Sequence, residues 1–317
     1  MNFLGNTGSR IALKWLVTAL IIGAVLFFVD GKTLLREVAS IPPAAMVAGL
    51  VLGIGQVFLS AWRWRYTANL LGLPIPYMQA VREYYLATFT NQVLPGGVLG
   101  DVNRALRHGA DTNNRLAAAH GVAIERLSGQ VVLAAVVVTG LAWLVITGRV
   151  VGASPTGAGS LSHLHWLLAG VSAVILLTWF LARKNKRISV YVGTLRGDLT
   201  RALLSWPAFP LQVLTSLLVV ASYLAVFLVL ANGAGYLADL PSAGVVAALC
   251  SLLLLSMVIP VTVSGWGVRE GAAVILWPMV GLPAEQGVAL SVAYGALILV
   301  SSLPGALFLF SSPVRQR

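Results

Sequence analysis

The sequence predicts an all-α polytopic membrane protein of about eight transmembrane helices, and three observations carry that prediction. Of 317 residues, 58% are hydrophobic and only 10% charged, against roughly 25% charged in a water-soluble domain. Mean hydropathy is +0.88. Apolar runs of about 20 residues, the length that crosses a ~30 Å hydrocarbon core, recur along the whole chain. They lie near 11–29, 44–62, 127–147, 164–182, 211–231, 243–260 and 286–310, with a shorter one at 268–282. The ten-residue alternating tracts of an outer-membrane barrel do not occur. The chain therefore reads as a single transmembrane domain, 1–317.

The first run follows a basic flank as a signal peptide does. It is too long for one, however, and continues into Phe27, Phe28 and Asp30 instead of a small-residue cleavage site, so it is expected to stay attached. The formal charge of +11 distributes by topology. If the N-terminus is cytoplasmic and all eight runs cross, eighteen Lys and Arg fall inside, and only Lys32, Arg36 and Arg149 fall outside. The positive-inside rule then places both termini in the cytoplasm of an inner or plasma membrane. The basic excess is spent on orientation and anionic headgroups, and nucleic acid is excluded as a partner. Trp62, Trp64, Trp166, Trp179 and Trp206 fall near run ends and read as headgroup-level anchors. The basic tract 183–201 reads as a lipid-facing elbow, and Cys250, inside an apolar run, as a small buried filler.

Two segments behave neither as loops nor as plain spans. Tyr77 to Gly109 holds a moderately apolar helix, a Pro95-Gly96-Gly97 break and a short helix; Val258 to Gly281 holds a break and a short restart. Proline removes a backbone donor and glycine enters conformations closed to other residues, so re-entrant or broken segments are expected near 89–101 and 260–268. Pro95, Gly100 and Arg104 match Pro260, Gly265 and Arg269 as Pro-x4-Gly-x3-Arg, with Gly267 adding a second glycine to the later block. This is either a chance match or an internal repeat of the kind that builds many transporters. Backbone groups freed at membrane depth are tolerated where they line a cavity or are buried, so both breaks are expected to approach one cavity.

Arg104 and Arg269 stand close after these breaks, at expected helix starts. There the dipole disfavours a cation by ~0.3 to 1 kcal/mol, whereas an anion would be held by helix donors and the guanidinium fork together. Asn91, Gln92 and Asn103 add neutral donors, and Asp101 and Glu270 fit as caps. The alternative reading makes Arg104, Arg107 and Arg269 interfacial positive-inside residues, and it is preferred for Arg107. Glu125 and Arg126 open the third span as a local pair or as part of the cavity. His108, His120, His163 and His165 give no ligand spacing, so no metal is expected. No phosphate loop, nucleophile elbow or paired-carboxylate signature occurs, which argues against an enzyme and against a cofactor.

Taken in order, Trp-Arg-Trp at 62–64, the stretch NQVLPGGVLGD at 91–101, Glu125-Arg126, and PVTVSGWGVREGA at 260–272 resemble the lysylphosphatidylglycerol synthase transmembrane-region family. The resemblance covers nearly the whole chain. It implies a flippase-like membrane part for an anionic or modified phospholipid, or a lipid-linked headgroup, without the fused aminoacyltransferase domain of some members. A separate synthetase or glycosyltransferase is then a candidate partner. The alternative is a membrane-embedded enzyme or accessory subunit acting on lipid-linked phosphate or sugar.

Overall fold

A computed structural model describes residues 7–94, 97–150, 186–237, 240–258 and 262–310. Pro95, Gly96, Pro260 and the expected span near 164–182 lie outside them. Among the described residues the regular elements are helices: α1 (Thr7–Phe28), α2 (Gly31–Ser40), α3 (Pro43–Leu70), α4 (Tyr77–Val93), α5 (Leu99–Asp111), α6 (Arg115–Ile146), α7 (Lys186–Leu199), α8 (Ala208–Gly233), α9 (Leu240–Ser256), α10 (Val268–Leu276), α11 (Ala284–Ser302) and α12 (Pro304–Phe310). A π-helical segment, Thr200–Leu204, follows α7, and a 3-10 turn, Pro278–Val280, follows α10.

The expected crossings take different forms. Long apolar helices at Pro43–Leu70, Arg115–Ile146, Ala208–Gly233 and Ala284–Phe308 meet the length of a span. The first run ends in a 95° bend between α1 and α2, where the Asp30 side chain caps α2 by accepting from Lys32 N and Thr33 N. The run near 243–260 is a 17-residue helix. That near 268–282 is a nine-residue helix, about 14 Å long and too short to cross alone.

Local chemistry sets the boundaries. α3 overruns its expected end at 62 because nothing stops it before Gly72, whose φ of +76° lets the chain turn left-handed. Gly72 N then donates to Asn69 O and Leu73 N to Ala68 O, a Schellman closure. Pro74 and Pro76 delay the next helix to Tyr77. α6 starts twelve residues before its expected start at 127, because Asn114 Oδ1 accepts from Ala117 N at 3.1 Å and caps it there. Glu125 and Arg126 therefore do not open this helix; they lie about three turns inside it.

Lipid offers no hydrophobic drive between helices, so close approach and polar bonds join them. Gly100 brings α5 onto α4 so tightly that a Cβ there would strike the Ala87 carbonyl. Gln212 of α8 donates to Thr67 Oγ1 on α3 at 2.8 Å and to Ala202 O at 3.2 Å. In the core, Phe227 stacks on Tyr294 with centroids 4.2 Å apart, beside Leu249, Cys250, Leu253 and Leu290, all fully buried. Phe27, Phe28, Val138 and Ile146 face outward, as lipid-facing side chains do.

Two expectations are corrected. Trp64 is not a headgroup anchor: it is fully buried, because the extended α3 carries it inward. The tract 183–201 is not a plain elbow: from 186 it is helical, and it docks on α6 where His120 Nδ1 meets Asp198 Oδ2 at 2.7 Å.

Candidate functional site

α3, α4, α5, α6 and α8 together enclose an ion network. Arg63 of α3 pairs with Glu125 of α6 through Nη2 and donates from Nε to the same carboxylate at 3.2 Å. Its Nη1 donates to Ser216 Oγ on α8 at 3.0 Å. Arg104 of α5 donates from Nη2 to the other Glu125 oxygen at 2.7 Å and from Nε to Asp101 Oδ1 at 3.0 Å. Arg126 reaches Asp101 at 2.7 Å. Tyr84 OH of α4 donates weakly to Glu125 at 3.4 Å. Arg104 is 1% exposed and Glu125 fully buried, while the Arg126 side chain is 42% exposed.

Three guanidiniums here face two carboxylates, leaving one positive charge in excess. Arg104 Nη1 and Arg126 Nε are buried without hydrogen-bond partners. The Arg104 guanidinium carbon lies 4.8 Å from the Trp64 ring centre and 4.6 Å from that of Tyr84, contacts that stabilise a cation without neutralising it.

A second cluster surrounds Arg269. Nε donates to Ser291 Oγ at 2.5 Å, Nη2 to Glu270 Oε1 at 2.9 Å, and Nη1 approaches Met257 Sδ at 3.8 Å. Trp266 and Tyr294 each lie 5.3 Å from its guanidinium carbon. Glu270 also accepts from Ser291 at 2.6 Å and from Gly267 N at 2.6 Å, and so caps α10 as expected. This cluster is neutral, and every nitrogen of the Arg269 guanidinium has a partner.

The helix-start argument holds for Arg269, second residue of α10, and not for Arg104, sixth of α5. α5 opens at Leu99, and Asn91 Oδ1 already accepts from Gly100 N at 2.7 Å. Asp101 is consequently not a cap; its carboxylate takes Arg104, Arg126 and Asn91 Nδ2 at 3.1 Å. Asn103 is half-buried and stands outside the ion network. Arg107 pairs with Glu83 at 2.8 Å with its side chain 37% exposed, in keeping with a bland role. Gly97, Gly265 and Gly267 have φ of +62°, +78° and +86°, which the two breaks require. The breaks meet: Ser264 Oγ donates to Gln92 Oε1 at 2.5 Å.

Sequence reasoning missed Arg63, Trp64, Tyr84, Ser216 and Ser291. The signal for Arg63 was present, since Gln56, Ser60, Arg63 and Thr67 recur at helical spacing within an apolar helix and all four are buried. Such a stripe marks an inward-facing polar side. An open groove at the α3–α4 turn, lined by Arg65, Asn69 and Pro74–Pro76, holds no member of either cluster.

Long helices apolar enough to cross a membrane, two broken segments in contact and a buried ion network define a multi-pass helical membrane protein. The chain belongs to the lysylphosphatidylglycerol synthase TM region family, whose model matches residues 11–305. That membership links it to lipid handling in the membrane. No curated protein matches it significantly.

Proposed function

We propose that this protein is a flippase-like transporter that moves an anionic or modified phospholipid, or a lipid-linked headgroup, across a plasma or inner membrane. The observation that carries the proposal is the unbalanced positive charge around Arg104. A buried excess charge is costly in a low-dielectric interior, and a headgroup phosphate is the counter-charge that removes the cost. Arg126, the exposed member, meets the phosphate first; Arg104 Nη1 supplies a free donor behind it. Arg269 is satisfied internally in the present conformation and engages the headgroup only after leaving Glu270 or Ser291.

Purified protein in vesicles carrying a fluorescent anionic phospholipid on one leaflet is expected to speed its exchange well beyond protein-free vesicles, and beyond a zwitterionic analogue. Equal rates with and without protein would overturn the proposal.

If the N-terminus is cytoplasmic and all eight runs cross, the eighteen-to-three distribution of Lys and Arg favours cytoplasmic termini. In a Cys250→Ala background, cysteines introduced at Ser189 and Ser312 are expected to resist an impermeant thiol reagent on intact cells and to react once the membrane is opened. Labelling of intact cells would reverse the orientation.

A further inference from the structure

The two breaks are far apart in sequence, yet one neutral hydrogen bond joins their flanks, from Ser264 Oγ to Gln92 Oε1 at 2.5 Å. Ser264 sits at φ +52°, a left-handed conformation that a serine adopts only when its surroundings hold it there. The turn 262–268 is pinned on its other side by Val263 N, which donates to Thr18 Oγ1 of α1 at 3.1 Å. Thr18 in turn donates to Lys14 O at 2.7 Å. Side chains from α1 and α4 thus hold a turn whose own backbone favours leaving this shape.

On either side of the bond the chemistry is of another strength. Arg104 and Arg269 lie in charged, buried clusters, whereas Gln92 and Ser264 are half-buried and uncharged. A neutral bond between half-buried side chains is weaker than the charge-assisted bonds inside either cluster. It therefore parts before either cluster does when the two broken segments separate.

The geometry points to a latch: the Gln92–Ser264 bond fastens the two broken segments together in an occluded conformation, and its release lets the turn 262–268 swing out of its strained shape and exposes the space between the Arg104 and Arg269 clusters. The translocation reading supplies only what the opening serves; the opening itself is a property of the fold.

Val263, 2% exposed, lies next to the latch and reports its opening. In a Cys250→Ala background, Val263→Cys is expected to react slowly with a maleimide in vesicles. Adding Gln92→Ala should raise that rate about fivefold, the factor that loss of a hydrogen bond worth about 1 kcal/mol gives in an equilibrium. Ser264→Ala should raise it equally, and the two together no further, since both delete one bond. Unchanged alkylation in either variant would overturn the latch, and so would additive increases, which would mark two unrelated loosening effects. These readings hold whether or not the protein moves lipid. With translocation established, Gln92→Cys and Ser264→Cys joined by a short bis-thiol linker should stop it and reduction restore it; linked protein that transports at the unlinked rate would also overturn the latch.

Discussion

Glu125→Gln is expected to lower the thermal midpoint of the purified protein by on the order of 10 °C. The carboxylate is fully buried and is shared by Arg63 and Arg104. Its neutralisation leaves three guanidiniums with the single carboxylate of Asp101. Removing one partner of a buried pair costs about 3 to 5 kcal/mol, because the stranded charge has no solvent to return to. For a domain of a few hundred residues, each kcal/mol moves the midpoint by about 2 to 4 °C at most. Adding Arg63→Gln restores the resting balance of two guanidiniums minus one carboxylate, and should recover part of the loss. A Glu125→Gln protein that unfolds within 1 to 2 °C of wild type, on the scale of a marginal surface change, would show that the network is not electrostatically strained.

Arg104→Gln is expected to do the reverse, sparing the fold and impairing translocation. With Arg104 neutral, Arg63 keeps Glu125 and Arg126 keeps Asp101, two cations against two anions. The stability change should be well below that of Glu125→Gln and reflect lost packing on Trp64 and Tyr84. The headgroup, by contrast, loses a charge-assisted hydrogen bond worth about 1.5 to 3 kcal/mol, or ten- to a hundredfold in affinity. Arg104→Lys should give an intermediate rate, because it restores the charge without the planar fork. Vesicle translocation of the labelled anionic lipid measures all three. Wild-type rates in correctly inserted Arg104→Gln protein would remove Arg104 from the substrate path.

Hydropathy made the four long spans legible because lipid requires every backbone polar group of a crossing segment to be satisfied within the protein, and an apolar helix meets that rule on its own. The breaks were legible for a similar reason: glycine at Gly265 and Gly267 answers to a local backbone demand. Boundaries were less so. Asn114 caps α6 well outside the apolar run, and hydropathy cannot register a helix that continues past the hydrocarbon. Partner choice was hidden more deeply. Arg104 finds Glu125 of α6 while Arg107 finds Glu83 of α4. That choice is made by how α5 sits between the two helices, with Gly100 against Ala87 of α4 and Gly109 against Arg115 and Ala118 of α6, and by no property of the arginine. The two Pro-x4-Gly-x3-Arg blocks illustrate both sides. Gly100 lies inside a helix and Gly265 in a turn, so the backbones do not correspond. Yet each arginine is held by an acidic neighbour and flanked by one Trp and one Tyr.

The Arg63–Glu125 pair also dictates an order of events during synthesis. α3 leaves the ribosome with a guanidinium set among apolar residues, while its carboxylate is still 62 residues away. An unpaired arginine is among the least welcome groups in a nascent span. α5 and α6 differ, since the Asp101, Arg104, Glu125 and Arg126 charges they bring balance one another. The Arg63–Glu125 pair can therefore form only after α6 has been made, and α3 completes its packing in the bundle at that point.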